Sequence, residues 1–128
     1  MPLWRKLYAV VWLNFAALLL VLMKDLPLAG TAHAVIGIII IMITVHNRQA
    51  LQATAAPERI KRIAKVMIGM SIFAGVTGLL LGAPLHGWVH GLVKFLHITA
   101  ISALFTQSSS VATTFDMWQE KEFLPPNS

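Results

Sequence analysis

Long uncharged stretches alternate along the chain with short clusters of charge. Leu7–Met23, Leu26–Asn47, Val66–Val93 and Phe95–Phe115 contain no Asp, Glu, Lys or Arg. A helix needs roughly 20 apolar residues to cross a hydrocarbon core about 30 Å thick, so the first, second and fourth stretches each fit one crossing. The third is too long for one. Gly82-Ala83-Pro84 interrupts it, and because proline disfavours helix in the residue before it, the triplet reads as a turn that closes one helix and opens the next. The pattern predicts helices at about 3–23, 30–48, 62–82 and 87–113, with a mixed-charge tail at 116–128. The expected fold is all-α: a single membrane-spanning antiparallel four-helix bundle.

Composition agrees with this pattern and narrows the class. Of 128 residues 57% are hydrophobic and only 12% charged, where a soluble domain carries about 25% charged residues. Disorder and a disulfide-stapled secreted domain are excluded, the first by the apolar content and the second by the absence of cysteine. Arg5 and Lys6 before an apolar run resemble a signal peptide, but that run is longer than a signal core and is read as a retained helix. Arg48, Arg59, Lys61, Arg62 and Lys65 cluster between the second and third crossings, with Arg5 and Lys6 on the same side, while the opposite side has Lys24 and Asp25. Basic residues stay cytoplasmic, so both termini are expected there, in a bacterial or archaeal cytoplasmic membrane. Trp4, Trp88 and Trp118 fall near the expected interfaces. The net charge of +5 follows from this topology and from anionic lipid, not from nucleic acid.

Ionisable groups inside a bilayer are expensive, and this makes the histidines the informative residues. All five (His33, His46, His86, His90 and His97) lie in or at the ends of the second and fourth crossings. At 1.5 Å per residue His33 and His46 are about 20 Å apart along one helix, and His86 and His97 about 16 Å apart along the other. Both helices run in the same direction. His33 is thus expected near the level of His86 or His90, and His46 near that of His97, giving two layers of paired imidazoles. On ideal helices His86, His90 and His97 form one stripe, while His33 and His46 diverge by about 140°. Paired neutral imidazoles between membrane helices suit haem iron, which takes axial histidines and an apolar slot. Gly37, Gly87, Gly91, Gly69, Gly75 and Gly78 allow close approach, or serve helix packing alone.

His33-Ala-Val-Ile-Gly37 leading to His46-Asn47 resembles the histidine helix of small transmembrane b-type cytochromes, with a histidine, a glycine one turn on and a second histidine further along; His90 to His97 is similar to the partner helix. The resemblance covers about a third of the chain. It implies a haem-b membrane subunit that passes electrons between a quinone pool and a partner redox protein. The cofactor-binding residues would be His33, His46, His86, His90 and His97, with His46 and His97 on one haem and His33 with His86 or His90 on the other. The His90–His97 and His86–His97 gaps are shorter than the family's two-haem spacing, which leaves one or two haems open. A spare histidine could serve a propionate or a quinone, with an imidazole pKa suited to proton transfer. Lys94 and Arg48 are candidate propionate counter-ions, although Lys94 could equally snorkel to the interface.

Two rivals remain at this stage. His86 and His90 at i, i+4 match zinc-binding helix spacing, and a zinc or copper site could draw on His33, His46, His90 and His97. Alternatively the chain is a non-catalytic interaction or assembly subunit of a larger membrane complex. A chain this small exposes little outside the bilayer, so a membrane or peripheral redox partner, or a homodimer, is expected.

Overall fold

The computed structural model describes residues 1–123. Four helices follow in order: α1 (Leu3–Leu22), α2 (Ala29–Gln52), α3 (Glu58–Leu81) and α4 (Gly87–Phe123), with no strand among the described residues. Each is long and apolar enough to cross a membrane. Short loops make consecutive helices antiparallel neighbours. The helices pack in a square, α1 on α2, α2 on α3, α3 on α4 and α4 back on α1, and neither diagonal pair touches along its backbone.

The distribution of side chains is that of a protein solvated by lipid. Large apolar groups face outward, with Trp12 68%, Leu79 75% and Phe95 65% exposed, whereas Asn14, Thr44, Asn47, Ser71, Thr77 and Ser108 are buried. In hydrocarbon an outward-facing leucine costs nothing and an outward-facing amide costs a great deal, so the polar groups turn inward and bond to the bundle. Thr44, Ser108 and Thr77 do so by donating to carbonyls of their own helices.

The two ends of the bundle are packed differently. Where α1 and α3 begin and α2 and α4 end, the interior is filled by Leu7, Val10, Leu51, Ile60, Val111 and Phe115. Toward the other end the buried apolar residues are alanines: Ala17, Ala29, Ala74 and Ala100. The basic residues gather at the first end, so the two are called the basic end and the alanine end below.

Two boundaries differ from expectation. The segment Arg48–Lys65 is mostly helix, with α2 running to Gln52 and α3 starting at Glu58. Glu58 sits in the first turn of α3, where a carboxylate complements the helix dipole, and Lys61 bonds it at 3.3 Å. Helix α4 runs ten residues past residue 113, so the described part of the expected tail, 116–123, is helical. No glycine or proline occurs between Gly91 and Pro125, and Ser102, Thr106, Ser108 and Ser109 hold their hydroxyls on carbonyls four residues back. Buried Phe115, packed on Trp118 at 5.6 Å, keeps the extension on the bundle.

The start of α4 decides the geometry that follows. Gly87 enters it at φ +62°, a backbone conformation open to glycine. His97, ten residues on, lies against Ala74, Thr77 and Gly78 of α3. By helical rise this leaves roughly 15 Å of α4 before that contact but only roughly 5 Å of α3 after it. The first two turns of α4 therefore overhang the end of α3, and Gly87–Leu92 are all exposed.

Candidate functional site

His33 and His97 meet inside the alanine end. His33 stands in the second turn of α2, and its Nδ1 lies 2.9 Å from the carbonyl of Ala17 on α1. His97, on α4, places Nδ1 2.9 Å from the carbonyl of Ala74 and 3.2 Å from the Thr77 hydroxyl on α3. A carbonyl can only accept, so in both rings the proton is on Nδ1 and the lone pair on Nε2. Among the described residues neither Nε2 has a hydrogen-bond partner. The ring centroids are 6.4 Å apart with planes inclined by 61°. The two rings thus span the α2/α4 diagonal, across which the backbones do not touch.

Small residues make this arrangement possible. Ala17 and Ala74 let each imidazole reach main chain on a flanking helix. At Gly78 the constraint is sharper, since a Cβ there would lie 2.9 Å from Cε1 of His97. Beside His33 the space stays open: a Cβ added at Gly37, one turn on, would meet nothing within 4 Å.

The other expected residues lie elsewhere. His46 is thirteen residues beyond His33, roughly 20 Å toward the basic end, exposed, with Nε2 3.0 Å from Nζ of Lys6. Arg48 lies at the same end, half-buried, its Nε buried without a partner. His86 in the loop before α4, and His90 and Lys94 on its first turns, are exposed.

The layer arithmetic paired His33 with His86 or His90, and His46 with His97; the structure instead pairs His33 with His97. The overhang of α4 is the reason, because it lifts His86 and His90 past the end of α3 and brings His97 to the level of His33. The residue of α4 as far beyond His97 as His46 is beyond His33 is Ser110, so His46 has no imidazole opposite it. Nor is there room at that level, where Leu7, Val10, Met67 and Val111 close around a void of about 10 Å³.

Gly78 stands among the glycines expected to allow close approach, whereas Ala17, Ala74 and Thr77 were not legible as site residues. Two of them act through main-chain carbonyls, which leave no trace in side-chain identity. Thr77-Gly78, a hydroxyl and a glycine within an apolar helix, was the one available signal. Among the described residues no three His, Cys, Asp or Glu side chains come together. Comparison with known proteins adds no assignment: no family model, no curated protein and no solved structure matches the chain.

Proposed function

We propose that the chain is an integral membrane b-type haem protein in which His33 and His97 would hold one haem, acting as an electron-transfer subunit. The observation that carries this is the close pair itself, two imidazoles from diagonal helices with Nδ1 held on carbonyls, Nε2 without a partner among the described residues and centroids 6.4 Å apart. Imidazole nitrogen binds a metal at about 2.0–2.1 Å, so two rings gripping one ion from opposite sides have centroids roughly 6 Å apart. A bare zinc site takes three or four protein ligands, which do not assemble among the described residues. Haem iron takes four nitrogens from its macrocycle and needs only two from the protein.

The residues fit such a group in further respects. Ligating histidines commonly donate their second N–H to a carbonyl, which fixes ring orientation and tautomer and raises ligand basicity; Ala17 and Ala74 accept those bonds here. Ala17 and Ala74 flank the pair, whereas the opposite end is filled by Leu51, Val111 and Phe115, and a Cβ at Gly37, one turn from His33, would meet nothing within 4 Å. Lys94, one turn before His97 and exposed, is a cation that could serve a carboxylate of the group. When bound, haem supplies reversible one-electron exchange. The chain's own part is to hold two imidazoles in one tautomer at fixed separation and to exclude water with an apolar shell. A quinone and a partner redox protein are the exchange partners the resemblance implies. With the basic residues on the cytoplasmic side, both described ends lie there and the histidine pair lies toward the opposite face.

A reduced-minus-oxidised spectrum of the purified protein tests this. A sharp b-type α band is expected, lost in His33→Ala and in His97→Ala and kept in His46→Ala. Colourless protein carrying stoichiometric zinc or copper would establish the metal-site reading instead. Colourless, metal-free protein in stable association with another membrane subunit would establish the assembly reading.

A further inference from the structure

The void at the basic end is small, but its polar lining is one-sided. Thr44 and Asn47 reach it from α2 and Ser108 from α4, among apolar neighbours that include Leu7, Met67 and Val111. All three polar residues are at most 3% exposed. The Thr44 hydroxyl donates to the Ile40 carbonyl at 2.7 Å and the Ser108 hydroxyl to the Leu104 carbonyl at 2.6 Å, so each oxygen retains only lone pairs to offer. The Asn47 amide is oriented by Nδ2, which donates to the Lys6 carbonyl on α1 at 3.0 Å and leaves Oδ1 buried without a partner. What remains unmet at this point of the bundle is acceptor capacity.

We infer that the void is a binding site for one water molecule, which donates to Asn47 Oδ1 on α2 and to the hydroxyl oxygen of Ser108 on α4. The chemistry requires a donor, since an orphaned amide oxygen in an apolar interior carries its full desolvation cost. The size suits a small occupant. A region of about 10 Å³ is open to the centre of a water-sized sphere, so a water fits, and a buried water typically makes two to four hydrogen bonds. Sodium would also be attracted by three oxygens. No carboxylate lines the void, however, and three neutral acceptors among Leu, Val and Met side chains do not offset the dehydration of an ion at this depth.

The consequence is architectural. Helices α2 and α4 do not touch along their backbones, and at the alanine end the histidine pair bridges them. The water bridges the same diagonal at the basic end, where Ser110 stands in place of a further histidine and leaves no ligand pair. This site is independent of the haem proposal, because neither His33 nor His97 lines it.

The test uses the full chain in detergent or nanodiscs. A high-resolution map is expected to show one isolated density peak within hydrogen-bond distance of Asn47 Oδ1 and of the Ser108 hydroxyl oxygen. An empty void, or Asn47 Oδ1 satisfied by protein, overturns the inference. Asn47→Ala and Ser108→Ala, on helices whose backbones do not touch, are each expected to lower Tm, and the double variant by less than the sum. Strict additivity would refute a shared water. Should a variant fail to fold, the wild-type map decides alone. A wild-type Tm that rises in NaCl but not in choline chloride would overturn water in favour of sodium.

Discussion

Replacing Gly78 with alanine tests whether the pose of His97 is what holds a cofactor. The new Cβ would stand 2.9 Å from Cε1 of His97, 3.4 Å from Nδ1 and 3.8 Å from Nε2. Carbon atoms rest at about 3.5–4.0 Å, so the ring must retreat by roughly 0.6–1.1 Å. It cannot do so freely. Nδ1 is held 2.9 Å from the Ala74 carbonyl on the same helix as Gly78, and a retreat of that size takes the bond to or past the roughly 3.5 Å at which it ceases to count. The direct loss is about 1 kcal/mol of hydrogen bonding. Disturbing a partner of a ligating histidine typically lowers metal affinity by about 10–100-fold, or roughly 1.4–2.8 kcal/mol. Alanine is meanwhile the better helix former by up to about 1 kcal/mol, which offsets the strain in overall stability. The expected signature is therefore a split: haem titration of the apoprotein followed by absorbance shows a Kd raised at least tenfold, while Tm of the apoprotein changes little. Gly69→Ala is the control on the same helix, since its Cβ would meet nothing within 4 Å. A Gly78→Ala protein with wild-type Kd, or a Gly69→Ala protein equally impaired, would refute the reasoning.

Thr77→Val removes a hydroxyl 3.2 Å from His97 Nδ1 but leaves the Ala74 carbonyl in place, so haem affinity should fall by less than tenfold, about 1 kcal/mol; complete loss in the same titration would contradict the assigned acceptor. Phe115→Ala empties a site 1% exposed at the basic end and should cost about 3–5 kcal/mol of stability, read as a lowered Tm with the spectrum of loaded protein unchanged. Two left-handed positions should respond with opposite signs. Gly87→Ala imposes a side chain at φ +62° and Leu28→Gly relieves one at φ 64°, so Tm should fall in the first and rise in the second, each by an amount set by about 1 kcal/mol of backbone strain.

Much of the architecture is local and was therefore legible. An uncharged run long enough to cross hydrocarbon must form a helix to satisfy its own backbone, and Gly82-Ala83-Pro84 must break one, whatever surrounds them. The histidines stand out for the same reason, as ionisable groups where such groups are costly. Chemical type and approximate position along each helix thus belong to the sequence.

Which histidine meets which belongs to the tertiary structure. Pairing depends on the relative heights of helices that are not sequence neighbours, and the height of α4 is decided by how far the chain climbs from Leu81 to Gly87 and by where α4 rests on α3. An overhang of about two turns, invisible to helical arithmetic, moved the partner of His33 from His86 or His90 to His97 and left His46 beside Lys6. The carbonyls of Ala17 and Ala74 that set both imidazole tautomers were hidden for a related reason. Every residue carries a carbonyl, and only folding determines which of them an imidazole can reach.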